Sequence, residues 1–324
     1  MTIKEIGEPI NKHLEEYNKY FKSLMKSDVA LLNLVIQYIT KKKGKQVRPV
    51  LVFLSAELCG GVNQRSYIGA AMVELLHTAT LVHDDVVDEA AERRGMASIN
   101  ASWNNKIAVL IGDYLLGKGL LSAIDNREFD FLHATSEAVR RMSEGELLQI
   151  QKSKDIDIDE VTYFKIISNK TASLMASCCE IGAISASSDK AIHKKMRTFG
   201  ELIGTAFQIR DDIFDYQSKN SFIGKPVGND LKEKKMTLPL IYSIKNVPKK
   251  VAKEITGIVK KGNLRKSDIQ KIIDFVHEQG GIDYAEKVSW EFSDKARFII
   301  QEFNDSPAKR SLLSFCDFVI DRVK

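Results

Sequence analysis

The chain has 324 residues, 44% hydrophobic and 28% charged, proportions of a globular protein rather than of a disordered or collagen-like one. Its 48 basic and 43 acidic residues leave a net charge of +5, too balanced to argue for nucleic acid as a partner. Cys59, Cys178, Cys179 and Cys316 fit no zinc or redox spacing and read as reduced thiols of a cytoplasmic protein.

Met1-Thr2-Ile3-Lys4-Glu5 lacks the apolar core of a signal peptide. No run reaches the roughly 18 apolar residues of a spanning helix, so no transmembrane segment is expected. Val29 to Ile39 comes nearest, interrupted by Asn33 and Gln37. With only 6 Pro and 19 Gly, scattered, no stretch reads as a linker, and residues 1–324 are expected to form one domain.

Helical periodicity dominates. It predicts an amphipathic surface helix over Ile10–Phe21 and a buried one over Val29–Ile39. Pro49 opens a helix through Leu58, ended by Gly60-Gly61. Ser66–Asp88 is one long apolar helix. Ile107–Ala123, Phe131–Gln151, Ile158–Ala186 and Ala191–Tyr216 continue the pattern. Gln217–Lys235 turns to Lys, Gly, Asn and Asp and reads as a loop. Thr237–Ile244, Val251–Lys260, Ser267–Gln279, Tyr284–Asn304 and a segment after Pro307 read as helices. No alternating β-branched runs compete, so the fold class is all-α, a helix bundle.

Two acidic runs sit inside apolar helical sequence: Asp84-Asp85-Val86-Val87-Asp88 and Asp211-Asp212-Ile213-Phe214-Asp215. Isolated carboxylates are costly to bury, so six of them among Leu, Val, Ile and Phe point to bound cations. Hard cations such as Mg²⁺ take oxygen ligands and share substrate phosphates, so the runs point to phosphate chemistry. Asp84 and Asp88 share a helix face, as do Asp211 and Asp215. Asp85 and Asp212 point about 100° away and act less directly. An ordinary acidic helix end is the competing reading, but the macrodipole disfavours carboxylates at a C-terminus.

Basic residues complete the pattern: Lys45 and Arg48 in Gly44-Lys45-Gln46-Val47-Arg48-Pro49, then Arg93-Arg94-Gly95, Lys170-Thr171, Lys225 and Lys235. Arg grips phosphate through a fork and Lys as a point charge. The runs Lys41-Lys42-Lys43 and Lys234-Lys235 alone would be solvated faces.

Together with His77 to Asp88, Phe207 to Asp215, Gly224-Lys225 and Asp230 to Leu240, these pieces resemble the trans-isoprenyl diphosphate synthases, or polyprenyl synthetases, over roughly residues 44–240. The resemblance implies a single-domain bundle of antiparallel helices around a deep central cavity, of isoprenoid synthase type, working as a homodimer. It implies head-to-tail condensation of isopentenyl diphosphate with an allylic diphosphate. Asp84, Asp88 and Asp211 are then expected to bind Mg²⁺, with Asp85, Asp212 and Asp215 acting through water or at second remove. Lys45, Arg48, His77 and Arg94 would hold isopentenyl diphosphate. Arg93, Lys170, Gln208, Lys225 and Lys235 would contact the allylic diphosphate, and Thr171 would flank the forming cation.

Within this resemblance, Ala79 and Thr80 occupy the chain-length positions, where large aromatics give short products. Helical spacing puts Thr80 on the Asp84 face; only the resemblance puts Ala79 there. Both are small, and the phrase His77–Asp88 resembles octaprenyl and other long-chain quinone-side-chain synthases. Geranylgeranyl or farnesyl products remain alternatives, and Met142, Leu147 and Leu148 are candidates for the cavity floor. The sequence departs from the family at Asn229, in place of a hydroxyl residue, and at Arg210, which is expected to pair with an acid or face a partner subunit. His83 reads as a helix-packing residue or one acting at second remove from the acidic run. The intact second run argues against a terpene cyclase, and the full set of carboxylates and cations against a non-catalytic regulatory subunit.

Overall fold

The structure, a computed structural model, describes residues 1–41, 44, 46–93, 95–156, 158–217, 228–262 and 264–321. In chain order the helices are α1 (Ile3–Ile6), α2 (Asn11–Leu24), α3 (Ala30–Lys41), α4 (Val47–Cys59) and α5 (Gln64–Val87). A small hairpin follows, β1 (Glu92–Arg93) and β2 (Met96–Ala97), then α6 (Ile99–Ser102), α7 (Asn105–Asp125), α8 (Phe129–Asp155) and α9 (Glu160–Ile167). A π-helical turn over Ser168–Ala172 leads into α10 (Ser173–Ala186) and α11 (Lys190–Gln217). The rest are α12 (Asn229–Lys232), α13 (Leu238–Lys245), α14 (Lys249–Lys261), α15 (Lys266–Glu278), α16 (Gly281–Gln301) and α17 (Pro307–Asp321). The all-α class is as expected, and the helix bounds fall within a few residues of those read from periodicity.

Two compact units emerge: residues 1–136, 177–197 and 303–312, and residues 137–176, 198–302 and 313–324. In the first, α5 is apolar on nearly every face and buried along most of its length, the signature of a central helix. Asn63 caps its start by accepting the Arg65 N–H at 2.9 Å. One face of α5, with Leu75, Ala79 and Val82, packs against Ala108, Ile111 and Leu115 of α7. On α2, Tyr17 is fully buried and meets Phe53 of α4 edge-on, ring centroids 5.6 Å apart. Burying such a side chain contributes about 1.5–3 kcal/mol.

Three features of this unit differ from the sequence reading. The helix over α3 is not buried all round: only Val35 and Ile36 are buried, while Leu31 and Leu34 are exposed, because one stripe suffices to join the α5–α7 cluster. The hairpin is too short to show alternation. Its register pairs Arg93 with Met96, and Gly95 takes φ +69°, a left-handed conformation glycine adopts without steric cost. Contrary to the expectation that no run reaches spanning length, one helix among the described residues, α7 rather than α3, is long and apolar enough by length and composition alone to cross a membrane. Its inner face lies against α5, while Val109, Leu110, Leu121 and Ile124 are exposed.

The core of the second unit gathers Ile166, Ile167, Ile209, Ile213, Leu238, Leu240, Ile272 and Val276 from α9, α11, α13 and α15. The single helix expected over Ile158–Ala186 starts at Glu160, with Asp159 accepting the Thr162 N–H at 2.8 Å, and is interrupted by the π turn. There the Ser173 N–H reaches the Ser168 carbonyl, five residues back. Of the expected loop Gln217–Lys235, residues 218–227 lie outside the described residues, and 229–232 form the one-turn helix α12.

Gly182 of α10 meets α4 so closely that a Cβ would lie 2.3 Å from the Val52 carbonyl oxygen and 2.7 Å from Ser55 Cβ. Backbone cannot swing aside as a flexible side chain does. Gly182→Ala is therefore expected to cost roughly 1–3 kcal/mol in urea unfolding. An unchanged midpoint would show that the two helices separate without penalty.

Candidate active site

Both acidic runs lie at helix C-termini. Helix α5 ends at Val87 with Asp88 as its cap, the Asp88 N–H reaching the Asp84 carbonyl at 2.8 Å. Asp211 to Asp215 occupy the last two turns of α11, which ends at Gln217. Each helix end carries the equivalent of about half a negative charge, so both sites call for added positive charge.

The six carboxylates divide by burial. Asp84, Asp88 and Asp211 are exposed, while Asp85, Asp212 and Asp215 are 2%, 5% and 7% exposed. Each buried one has named partners. Asp85 accepts from Arg93 Nε at 2.5 Å; burial raises its pKa and the guanidinium opposes the rise. Asp212 accepts from the Tyr163 hydroxyl at 2.7 Å and from Gln208 Nε2 at 2.8 Å. Burial, then the nearby Asp230, pushes its pKa up to about 8. Asp215 accepts the backbone N–H groups of Asn229 and Asp230, each at 3.0 Å, and so caps α12. Burial and Asp215 bring Asp230 itself to about 6.

The described cations are also engaged. Arg93 holds Asp85, Lys170 Nζ lies 2.5 Å from Glu146, and Lys235 pairs with Glu233 and lies 3.8 Å from Asp230. The Thr171 hydroxyl donates to Gln208 Oε1 at 2.7 Å, so Thr171, Gln208, Asp212 and Tyr163 form one chain. Tyr163 carries no motif, and sequence reasoning missed it. Arg48 is half-buried on α4, preceded by Gln46 at φ 51°, whose amide donates to Asn18 Oδ1 at 3.0 Å. His77 is buried on α5, its carbonyl accepting from the Thr80 hydroxyl at 2.9 Å. Lys45, Arg94 and Lys225 lie outside the described residues.

Thr80 is half-buried one turn before Asp84. Ala79 is 2% exposed and packs into the α5–α7 cluster. Of the candidate floor residues, Leu147 is exposed, Leu148 packs on the second core and Met142 is half-buried. Arg210 pairs with Glu286 at 3.1 Å and lies over the Phe214 ring, 5.4 Å from its centroid. His83 sits against α7, its Nε2 3.2 Å from the Val109 carbonyl oxygen and 3.6 Å from Asp113.

Among the described residues no three His, Cys, Asp or Glu groups close into a metal cage. The donor set is nevertheless all-carboxylate, and burial beside Asp230 raises the Asp212 pKa to about 8. That fits a hard divalent cation that keeps waters and shares phosphate oxygens.

The all-α scaffold thus carries two acidic helix ends, each accompanied by lysine or arginine. The polyprenyl synthetase family matches over residues 29–276, and the chain belongs to that family of prenyltransferases. It is 32% identical to octaprenyl diphosphate synthase of Escherichia coli, with 99% of each chain covered. It resembles the polyprenyl synthase of Caulobacter crescentus solved with calcium and isoprenyl diphosphate, with TM-score 0.91, 30% identity and 99% and 98% coverage. It also resembles geranylgeranyl pyrophosphate synthase of Bacteroides thetaiotaomicron, with TM-score 0.84, 36% identity and 99% of each chain covered.

Since Asp212 is raised above its unfolded value, the folded chain holds that proton more tightly than the unfolded chain. The stability this gives is complete below about pH 4 and is lost as pH rises through about 8. In metal-free buffer, the stability of Asp212→Asn relative to the parent should therefore increase between about pH 5 and about pH 8.5 in urea titrations. A difference that stays constant across that range would show that Asp212 titrates normally.

Proposed function

We propose that the protein condenses isopentenyl diphosphate head-to-tail with an allylic diphosphate, using Mg²⁺, to make a long all-trans polyprenyl diphosphate of octaprenyl type. The observation that carries the reading is the division of each acidic run into exposed carboxylates and buried, hydrogen-bonded ones at a negative helix end. Asp84, Asp88 and Asp211 would hold Mg²⁺. Asp85 steadies Arg93, Asp212 steadies Gln208 and Tyr163, and Asp215 fixes the start of α12. Mg²⁺, when bound, supplies positive charge to the diphosphate oxygens.

Arg93, Lys170 and Lys235 receive the allylic diphosphate, exchanging their carboxylate partners for phosphate oxygens, with Lys225 as a fourth cation. Lys45, Arg48, His77 and Arg94 hold isopentenyl diphosphate. As the allylic C–O bond breaks, the cations stabilise the leaving diphosphate. The hydroxyl of Thr171 and the amide of Gln208, already joined, turn their oxygen dipoles towards the allylic cation. The alkene of isopentenyl diphosphate attacks it, and the proton lost goes to the departed diphosphate. An apolar, closed site keeps water from the cation.

Small residues at Ala79 and Thr80 and the likeness to the octaprenyl enzyme support a long product. The likeness to the Bacteroides enzyme favours geranylgeranyl diphosphate as the second reading. The family match over residues 29–276 draws on both units and supports one functional domain. The exposed apolar residues of α7 support a homodimer, with a second copy covering Val109, Leu110, Leu121 and Ile124. We place this dimer in the cytoplasm. A non-catalytic regulatory subunit is disfavoured by the retention of all six carboxylates.

The test is turnover by the purified chain with Mg²⁺, farnesyl diphosphate and radiolabelled isopentenyl diphosphate, sizing products after phosphatase treatment. A ladder running well past geranylgeranyl is expected; a stop at that length would replace the long-chain reading, and no incorporation would favour the regulatory subunit. Asp84→Ala and Asp211→Ala should each lower kcat by about 10²-fold or more. Thr80→Phe should keep turnover and shorten the ladder; an unshortened ladder would remove Thr80 from chain-length control.

A further inference from the structure

We propose that Arg141 is a positioning residue for prenyl transfer, holding the π-helical turn that aims Lys170 and Thr171; this rests on the roles given to those two residues above. Arg141 lies in α8, outside every motif of the family resemblance. Its Nε donates to Asn169 Oδ1 at 3.0 Å, and its Nη2 donates to Ser168 Oγ at 2.7 Å and to Glu201 Oε1 at 2.6 Å. The Ser168 hydroxyl donates onward to the same Glu201 oxygen at 2.7 Å. One guanidinium thus ties α8, the first two residues of the π turn and α11. Its side chain is only 15% exposed, so these charge-assisted bonds form largely out of water, where they are strong.

A π turn holds one residue more than an α turn and persists only where its surroundings favour it. Here α8 acts on it twice. Gly145, one turn beyond Arg141, leaves so little room that a Cβ there would lie 2.9 Å from Asn169 Cβ and 3.0 Å from the Lys170 nitrogen. Arg141 therefore draws Ser168 and Asn169 in while Gly145 seats Asn169 and Lys170. The two residues that follow are Lys170, facing Glu146, and Thr171, facing Gln208. Reversion to α-helical bonding would shift the helical phase of the residues within and after the turn, by up to about 100° for one residue, and separate both pairs.

The chemical consequence is loss of control over the allylic cation. With Thr171 and Gln208 mis-aimed, water adds to the allylic carbon as diphosphate departs with the bonding electrons. The adduct then loses a proton, giving the prenyl alcohol in place of a new carbon–carbon bond.

The test compares the full chain with Arg141→Met, Arg141→Lys, Glu201→Gln and Thr171→Ala, using farnesyl diphosphate and radiolabelled isopentenyl diphosphate. Arg141→Met should lower kcat by about 10- to 100-fold, leave KM for isopentenyl diphosphate unchanged, and raise severalfold the farnesol released per unit incorporated. Arg141→Lys, with the charge but not the fork, should fall between. Glu201→Gln weakens the shared acceptor and tests the clamp if Arg141→Met does not fold. Parental kcat and farnesol ratio in both Arg141→Met and Glu201→Gln would overturn the proposal, and so would a lowered Tm with an unchanged ratio. If Thr171→Ala is impaired and Arg141→Met is not, the clamp alone fails. If Thr171→Ala is itself fully active, the Thr171 role fails and the clamp with it.

Discussion

Negative charge placed at the negative end of a helix is the constraint from which the rest of the site follows. Both acidic runs meet a macrodipole of their own sign, and in each run part of the carboxylate set is also buried. Such an arrangement is stable only with compensation. Arg93 supplies it to Asp85, backbone and side-chain donors supply it to Asp215 and Asp212, and burial beside Asp230 still raises the Asp212 pKa. The exposed carboxylates carry the remaining charge, and those are the ones to which a divalent cation adds most.

The cations follow the same logic in reverse. Arg93, Lys170 and Lys235 each rest against an acid, so under the proposed function a diphosphate would exchange one anionic partner for another instead of meeting bare charge. Breaking those pairs would lower affinity for any ligand and favour one with enough oxygens to replace the acids.

Elements whose cause is local were legible in the sequence. The long helices follow from apolar periodicity, and the six carboxylates of the two runs stood out because carboxylates in apolar helices are rare, while only the family resemblance singled out Asp84, Asp88 and Asp211. Elements caused by tertiary contact were not. The π turn depends on Arg141, Gly145 and Glu201, far from Lys170 in sequence, and its own residues read as ordinary helix. Tyr163 gains its place from Asp212, forty-nine positions away, and nothing near it in the chain foretells this. The exposure of Leu31 and Leu34 was missed because an apolar run does not say how many of its faces have neighbours. Arg210, by contrast, was expected to pair with an acid or face a partner subunit, and it pairs with Glu286.

The capping of α12 by Asp215 bears on how variants of this enzyme will be interpreted. Both carboxylate oxygens are taken by backbone amides, and an asparagine there could match only one of them. Loss of the cap would loosen the segment that carries Asp230 and, a few residues on, Lys235. A genetic screen for inactive alleles would then return position 215 beside the proposed metal ligands at 84 and 211, and phenotype would group the three together. The resemblance would lie in the outcome alone: two alleles would have lost a proposed metal ligand, and the third an anchor for the chain around Asp230 and Lys235.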